Sequence, residues 1–168
     1  MKLDQAKQEF LQLWGTLGSQ WGINRTMAQI HALLLIAPES LSAEDVMAEL
    51  AISRGNANMN LRELMNWNLV YKELKMGERR EYFRAEKDIW EVAKRVIQER
   101  RRREIQPVKE SLKDLVDLDR PKESDESKEF VKVVGDIGKL VNKLDNTADL
   151  ALKADQNWFF NKLIQIMK

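Results

Sequence analysis

Two helix-start signals stand eleven residues apart, at Ser42 and Ser53. They constrain this chain more than any other feature. Ser42 can accept from the backbone of Asp45, and Asp45 can reach back to the amide of Ser42, a capping box with Asp in place of Glu. The helix it opens is short, with Val46, Met47 and Leu50 on one side. Ser53 then offers the next N-cap. The helix it starts has Ala57, Leu61, Leu64 and Met65 inward and ends near Trp67-Asn68. A short helix, a tight turn and a second helix are therefore expected between residues 42 and 68.

The flanks extend this order. Ala6, Phe10, Leu13, Trp14, Leu17 and Trp21 have helical spacing over residues 3–21. A second helix runs from about Thr26 to Ala37, and Pro38 stops it. After Asn68 come two β-prone runs, Leu69–Leu74 and Glu81–Arg84, joined by a loop in which Gly77 can supply positive φ. A long helix starts near Asp88, is kinked or divided at Pro107 and reaches about Leu118. The stretch Asp119–Ser127 reads as a polar linker. Two further seams follow: Phe130, Val133, Val134, Ile137, Leu140, Val141 and Leu144, then Ala148, Ala151, Leu152, Trp158, Phe159, Leu163 and Ile166. The expected fold is mainly α with a small β-hairpin wing. It divides into an N-terminal dimerisation helix (1–24), a winged helix-turn-helix (25–86) and a long helix with a C-terminal helical dimerisation region (87–168).

Composition removes several function classes. The chain has 168 residues and no cysteine, which excludes disulfides and thiolate metal sites. Its one histidine, His31, sits in the apolar stretch of the second helix and reads as structural. A metal site or nucleophilic triad lacks parts, no phosphate-binding glycine motif is present, and no cofactor is expected. Gly15, Gly18 and Gly22 read as close-packing or helix-ending positions. The charged N-terminus does not resemble a signal peptide, and the apolar run around Leu33–Ala37 is too short for a membrane span. Cytoplasm is the expected compartment.

Charge is unevenly spread. Residues 72–109 carry 13 Lys/Arg against 8 Asp/Glu, whereas residues 110–155 carry 8 against 12. A basic stretch beside an acidic one fits a focal polyanion contact, although solvated helix faces explain the counts as well.

The order of elements is that of a winged helix-turn-helix, whose second helix fits the DNA major groove. That helix has Arg54, Gly55 and Asn56 in its first turn after the Ser53 cap, and carries Gly55, Asn56, Met59, Arg62, Glu63 and Asn66 outward, with Asn58 and Asn60 on its flanks. Asn is a mediocre helix former, so four in one short helix suggest a task other than packing. Asn and Arg pair with adenine and guanine edges, and Asn56 and Asn58 are expected to read an adenine edge. Gly55 leaves room for close approach to DNA. Met59 either touches a thymine methyl or is solvated. Lys75, Arg79 and Arg80 at the hairpin tip can reach phosphates or the minor groove. Arg100-Arg101-Arg102-Arg103 point all round a helix and cannot form one stripe, so at most one or two would meet DNA or a partner.

The segment ISRGNANMNLRELMNWNLV (Ile52 to Val70) resembles the recognition helix and wing entry of the MarR family, in particular its glycine-betaine-synthesis-repressor (GbsR-like) branch. GERREYF (Gly77 to Phe83) resembles that branch's wing, AEKDIWEVAKRVIQERRRREIQPVKESL (Ala85 to Leu112) its long helix, and WGTLGSQWGINRTMAQIHALLL (Trp14 to Leu35) its opening. The likeness covers about the first 118 residues. Asn68 stands where the family usually has Gly, and Asn58 where many relatives have Ser or Thr. The resemblance implies a transcriptional regulator, a repressor by the branch's name, binding double-stranded DNA as a homodimer on a pseudo-palindrome. It also implies a small-molecule effector of unidentified chemistry. The five tryptophans read chiefly as core and secondarily as a cage for a quaternary ammonium ion. The competing reading is a winged-helix assembly module without sequence-specific DNA binding.

Overall fold

The computed structural model describes residues 1–116 and 124–154. The chain divides into two compact units between Val92 and Ala93.

The first unit contains α1 (Leu3–Gln20), α2 (Arg25–Ile36), β1 (Leu41–Ser42), α3 (Ala43–Leu50), α4 (Arg54–Asn66), β2 (Val70–Leu74) and β3 (Glu81–Ala85). The strands form an antiparallel sheet in the order β1-β3-β2, with Leu41 opposite Phe83 and Val70 opposite Ala85. This is a winged helix-turn-helix, mainly α with a small sheet. The strand β1 is not foreseen from sequence. Two residues carry no alternating pattern, and only pairing with β3 makes them a strand.

The core joins α2, α3, α4 and the sheet. Ile30, Leu34, Val46, Leu61, Leu64 and Val70 are fully buried. Each large side chain contributes roughly 1.5–3 kcal/mol relative to an exposed one. Two glycines let α1 lie close on α2. A Cβ at Gly18 would fall 2.6 Å from Cβ of Ala28, and one at Gly15 would fall 2.8 Å from Cγ of Gln29.

Local chemistry sets the helix ends. Asn24 accepts from the amide of Met27 and opens α2, a cap the sequence reading passes over. Before Pro38, Nζ of Lys87 donates to the carbonyls of Leu34, Leu35 and Ala37 at 2.8, 2.7 and 2.8 Å. A cation thereby satisfies carbonyls that the helix end leaves open. The Ser42–Asp45 capping box is formed in both directions, at 3.2 and 2.8 Å. Ala51 ends α3 with φ of 51°, and Asn68 follows α4 with φ of 56°. Asn68 thus takes the left-handed role for which the resembled family uses Gly.

His31 is buried against Trp14, ring centroids 6.3 Å apart. No group among the described residues bonds its Nε2. Burial, with a smaller contribution from the charge of Lys87, pushes its pKa down to about 4. Between pH 6.5 and about 4 the unfolded chain binds a proton that the folded chain refuses. Stability from this residue is therefore complete above pH 6.5 and falls by roughly 3 kcal/mol as pH drops to 4. Urea titrations at pH 7 and 4.5 should show this loss in the wild type and a smaller one in His31→Leu. Equal losses in both would rule His31 out as the cause.

The helix α5 (Ile89–Arg100) leads into the second unit, which continues with a π turn (Arg101–Ile105), α6 (Gln106–Val116) and α7 (Asp125–Lys153). The expected break at Pro107 takes the form of that π turn. Proline lacks an N–H, and its ring would strike the carbonyl four residues back, at Arg103; widening the helix relieves both problems. Ser124 caps α7, accepting from the amide of Ser127 at 3.1 Å. Asp125–Ser127, expected in the linker, are therefore helical, with two carboxylates favourably placed in the first turn. The first apolar seam and the beginning of the second share one helix of 29 residues. The remainder of the linker, and Trp158, Phe159, Leu163 and Ile166, lie outside the described residues.

Within this unit Asp145 is buried. It accepts from Nε of Arg101 at 2.5 Å, Nζ of Lys109 at 2.7 Å and Nε2 of Gln106 at 3.0 Å. The bonds from Arg101 and then Lys109 hold its carboxyl down to about 2. The charge joins α7 to the π turn and α6.

Candidate nucleic-acid interface

The helix α4 begins at the Ser53 cap, whose Oγ accepts from the amide of Asn56 at 3.3 Å. Ala57, Leu61 and Leu64 turn inward, and this fixes which side faces out. Arg54, Gly55, Asn58, Met59, Arg62 and Asn66 are exposed. The side chains of Asn58 and Arg62 make no hydrogen bond or ion pair among the described residues. Arg54 lies 3.4 Å from Glu44 in an exposed pair, which contributes little. A Cβ at Gly55 would meet nothing within 4 Å, so its bareness serves no packing need inside the unit.

Three side chains differ from the outward or flanking placement expected of them. Asn60 is buried at 3% exposure, and its Nδ2 donates to the backbone oxygen and Oδ1 of Asn56 at 2.9 and 2.7 Å. Asn56 is in consequence half-buried. Glu63 is also half-buried, accepting from Nε1 of Trp67 at 3.1 Å and Nδ2 of Asn66 at 3.4 Å. The signal for both was the three- and four-residue spacing that makes helical side chains neighbours.

The wing is β2, β3 and their loop, with Gly77 at φ of 83°. Most of its cations are engaged: Lys72 with Glu81 at 2.5 Å, and Arg84 with Glu73 at 2.6 Å. Lys75 lies over the ring of Tyr82, 4.1 Å from its centroid, and the Tyr82 hydroxyl donates to Glu78. Arg79 and Arg80 are exposed at the tip, and their side chains make no hydrogen bond or ion pair among the described residues. Asp45 is held low mainly by its bonds from Ser42, and the charges of Arg80 and Lys75 add to this. The wing tip therefore sits within electrostatic range of the start of α3.

The arginine run is committed elsewhere. Arg100 pairs with Glu104 at 3.0 Å, Arg101 with Asp145 and Asp149, and Arg102 and Arg103 with the buried Glu99. No group of three or more His, Asp or Glu among the described residues is placed to hold a metal ion. No helix among them is long and apolar enough to cross a membrane.

No family model matches the chain, and no curated protein matches it. Among solved structures, the crystal structure of a transcriptional regulator is similar at a TM-score of 0.58 and 21% identity, covering 86% of this chain and 98% of that one. Likeness at that identity concerns the fold, and the fold it supports is the winged helix-turn-helix.

Proposed function

We propose that this chain is a transcriptional regulator that binds double-stranded DNA sequence-specifically as a homodimer, with the repressor role implied by its MarR-like, GbsR-like segments. The observation that carries this reading is the outer side of α4. Asn58, Arg62 and bare Gly55 stand exposed there without serving the fold. Ser53, Arg54 and Asn56 begin the helix, the end that enters the groove first in this architecture. The solved structure of similar fold is itself described as a transcriptional regulator.

The dimer is supported by α7. Phe130, Val133, Ile137, Leu140 and Leu144 follow one another at intervals of three and four and are 43–58% exposed. That spacing is the seam of a coiled coil, and a second copy of the same helix can cover it. Two DNA-binding units would then face two half-sites.

A gel shift of the purified protein on sheared genomic DNA, with sequencing of the retained fragments, tests the reading. Enrichment of a two-fold-symmetric motif is the expected result, and uniform retention would leave only non-specific binding. The wing adds a quantitative check. Arg79→Ala/Arg80→Ala should weaken binding to all sequences alike. It should also make the log-affinity against log-salt slope shallower by about two per wing. An unchanged slope would remove the wing tip from the interface.

A further inference from the structure

The Asn56–Asn60 pair gives the proposed reading surface a polarity, an inference that rests on the DNA-binding role above. A free asparagine amide can donate from Nδ2 and accept at Oδ1, which suits adenine, whose edge offers the N7 acceptor and the N6 donor. Asn56 does not have that freedom. Its backbone N–H donates to Oγ of Ser53 and its backbone carbonyl accepts from Nδ2 of Asn60, and in its side chain Oδ1 accepts from the same Nδ2 at 2.7 Å. Asn60 is 3% exposed in the unit's core, so the donor of this tether is itself fixed.

The planar amide places its nitrogen on the side opposite the tethered oxygen. We propose that Asn60 is a positioning residue that makes Asn56 a donor, so that Asn56 reads guanine rather than adenine. Guanine presents two acceptors, N7 and O6, to the two hydrogens of Nδ2. Adenine's N6 amino group would have to share the Asn56 oxygen that Asn60 already engages, whereas guanine's acceptors meet hydrogens of Nδ2 that bond no other described residue. Asn58 is exposed and untethered, and keeps both ends of its amide. The two asparagines thus differ in what they read although their side chains are identical.

The test is binding-site selection from a random duplex pool by the full-length wild type, Asn56→Ala, Asn60→Ala, Asn60→Leu and Asn56→Ala/Asn60→Ala. The position relaxed by Asn56→Ala is the one Asn56 reads. There the wild type should prefer guanine over adenine by about tenfold. Asn60→Ala, or Asn60→Leu if the smaller residue costs too much stability, should reduce that preference below threefold by releasing the amide. The double variant should match Asn56→Ala alone, since Asn60 acts only through Asn56. In the free protein, the side-chain amide protons of Asn60 should exchange far more slowly than those of Asn58. Adenine preference in the wild type, a preference untouched by loss of Asn60, or fast-exchanging Asn60 protons would each overturn the inference and leave DNA binding standing. A wild type with no sequence preference overturns the proposed function and this inference together.

Discussion

If copies pair through α7 as proposed, replacing both Ile137 and Leu140 with Asp is expected to give monomers and to abolish tight DNA binding. Both side chains lie on the exposed seam of α7, at 43% and 58% exposure. The contacts that hold α7 in its own unit run through other residues, among them buried Val134 and Asp145. The monomer should therefore keep its helical circular dichroism. In a two-fold interface each substitution is made twice. Each is about half-exposed beforehand, so four such side chains lost from a buried seam remove about 3 kcal/mol at the lower figure for such groups. That corresponds to roughly two decades in Kd, before any cost of burying carboxylates. Sedimentation at micromolar concentration should then show monomer, and half-site binding alone should persist on DNA. A charged variant that still sediments as a dimer would mean that the seam of α7 serves another purpose and that the copies meet elsewhere.

What could be read from the sequence follows the range of the interactions. Helix ends were legible because caps act over three residues. Ser42, Asp45 and Ser53 do what their spacing implies, and Asn68 takes a left-handed conformation from its own side-chain chemistry. Pro107 broke its helix for an equally local reason, although the form of the break, a π turn, was not implied by the residue alone. The strand β1 was invisible because it exists only by pairing with Phe83 and Tyr82, some forty residues on.

The candidate site shows the same division. The inward residues Ala57, Leu61 and Leu64 determined the outer side of α4, and with it the exposure of Gly55, Asn58, Met59 and Arg62. Asn60 was misplaced because a residue on the edge of an apolar stripe can fall either way. Burial of its amide is tolerable only with a partner, and Asn56 is that partner. In the arginine run, Glu99 and Glu104 stood at helical pairing distance and could have been read from spacing. Asp145, 44 residues away from Arg101, could not.

Gly55→Leu is expected to leave the fold intact and to remove DNA binding, and Gly55→Ala should separate the two properties more gently. Gly55 is in the first turn of α4, exposed, with no positive φ to require glycine. A Cβ there meets no atom of the unit within 4 Å. In such a place glycine only costs stability, because it surrenders more backbone freedom than alanine when the helix forms. Alanine should raise the unfolding free energy by about 0.5 kcal/mol, the lower end for a helix, since the first turn is the least constrained. If the start of α4 enters the major groove, the added atoms occupy space the DNA needs. Alanine should then weaken binding severalfold, while the four side-chain carbons of leucine should hold the helix off the base edges. Loss of at least a hundredfold is expected for Gly55→Leu on a selected duplex, about 3 kcal/mol. Arg62→Ala should behave otherwise, weakening selected and scrambled duplexes together if its guanidinium meets phosphate. Thermal denaturation beside fluorescence anisotropy on selected and scrambled duplexes separates these cases. A Gly55→Leu protein that binds its selected duplex like the wild type would show that the first turn of α4 does not face DNA.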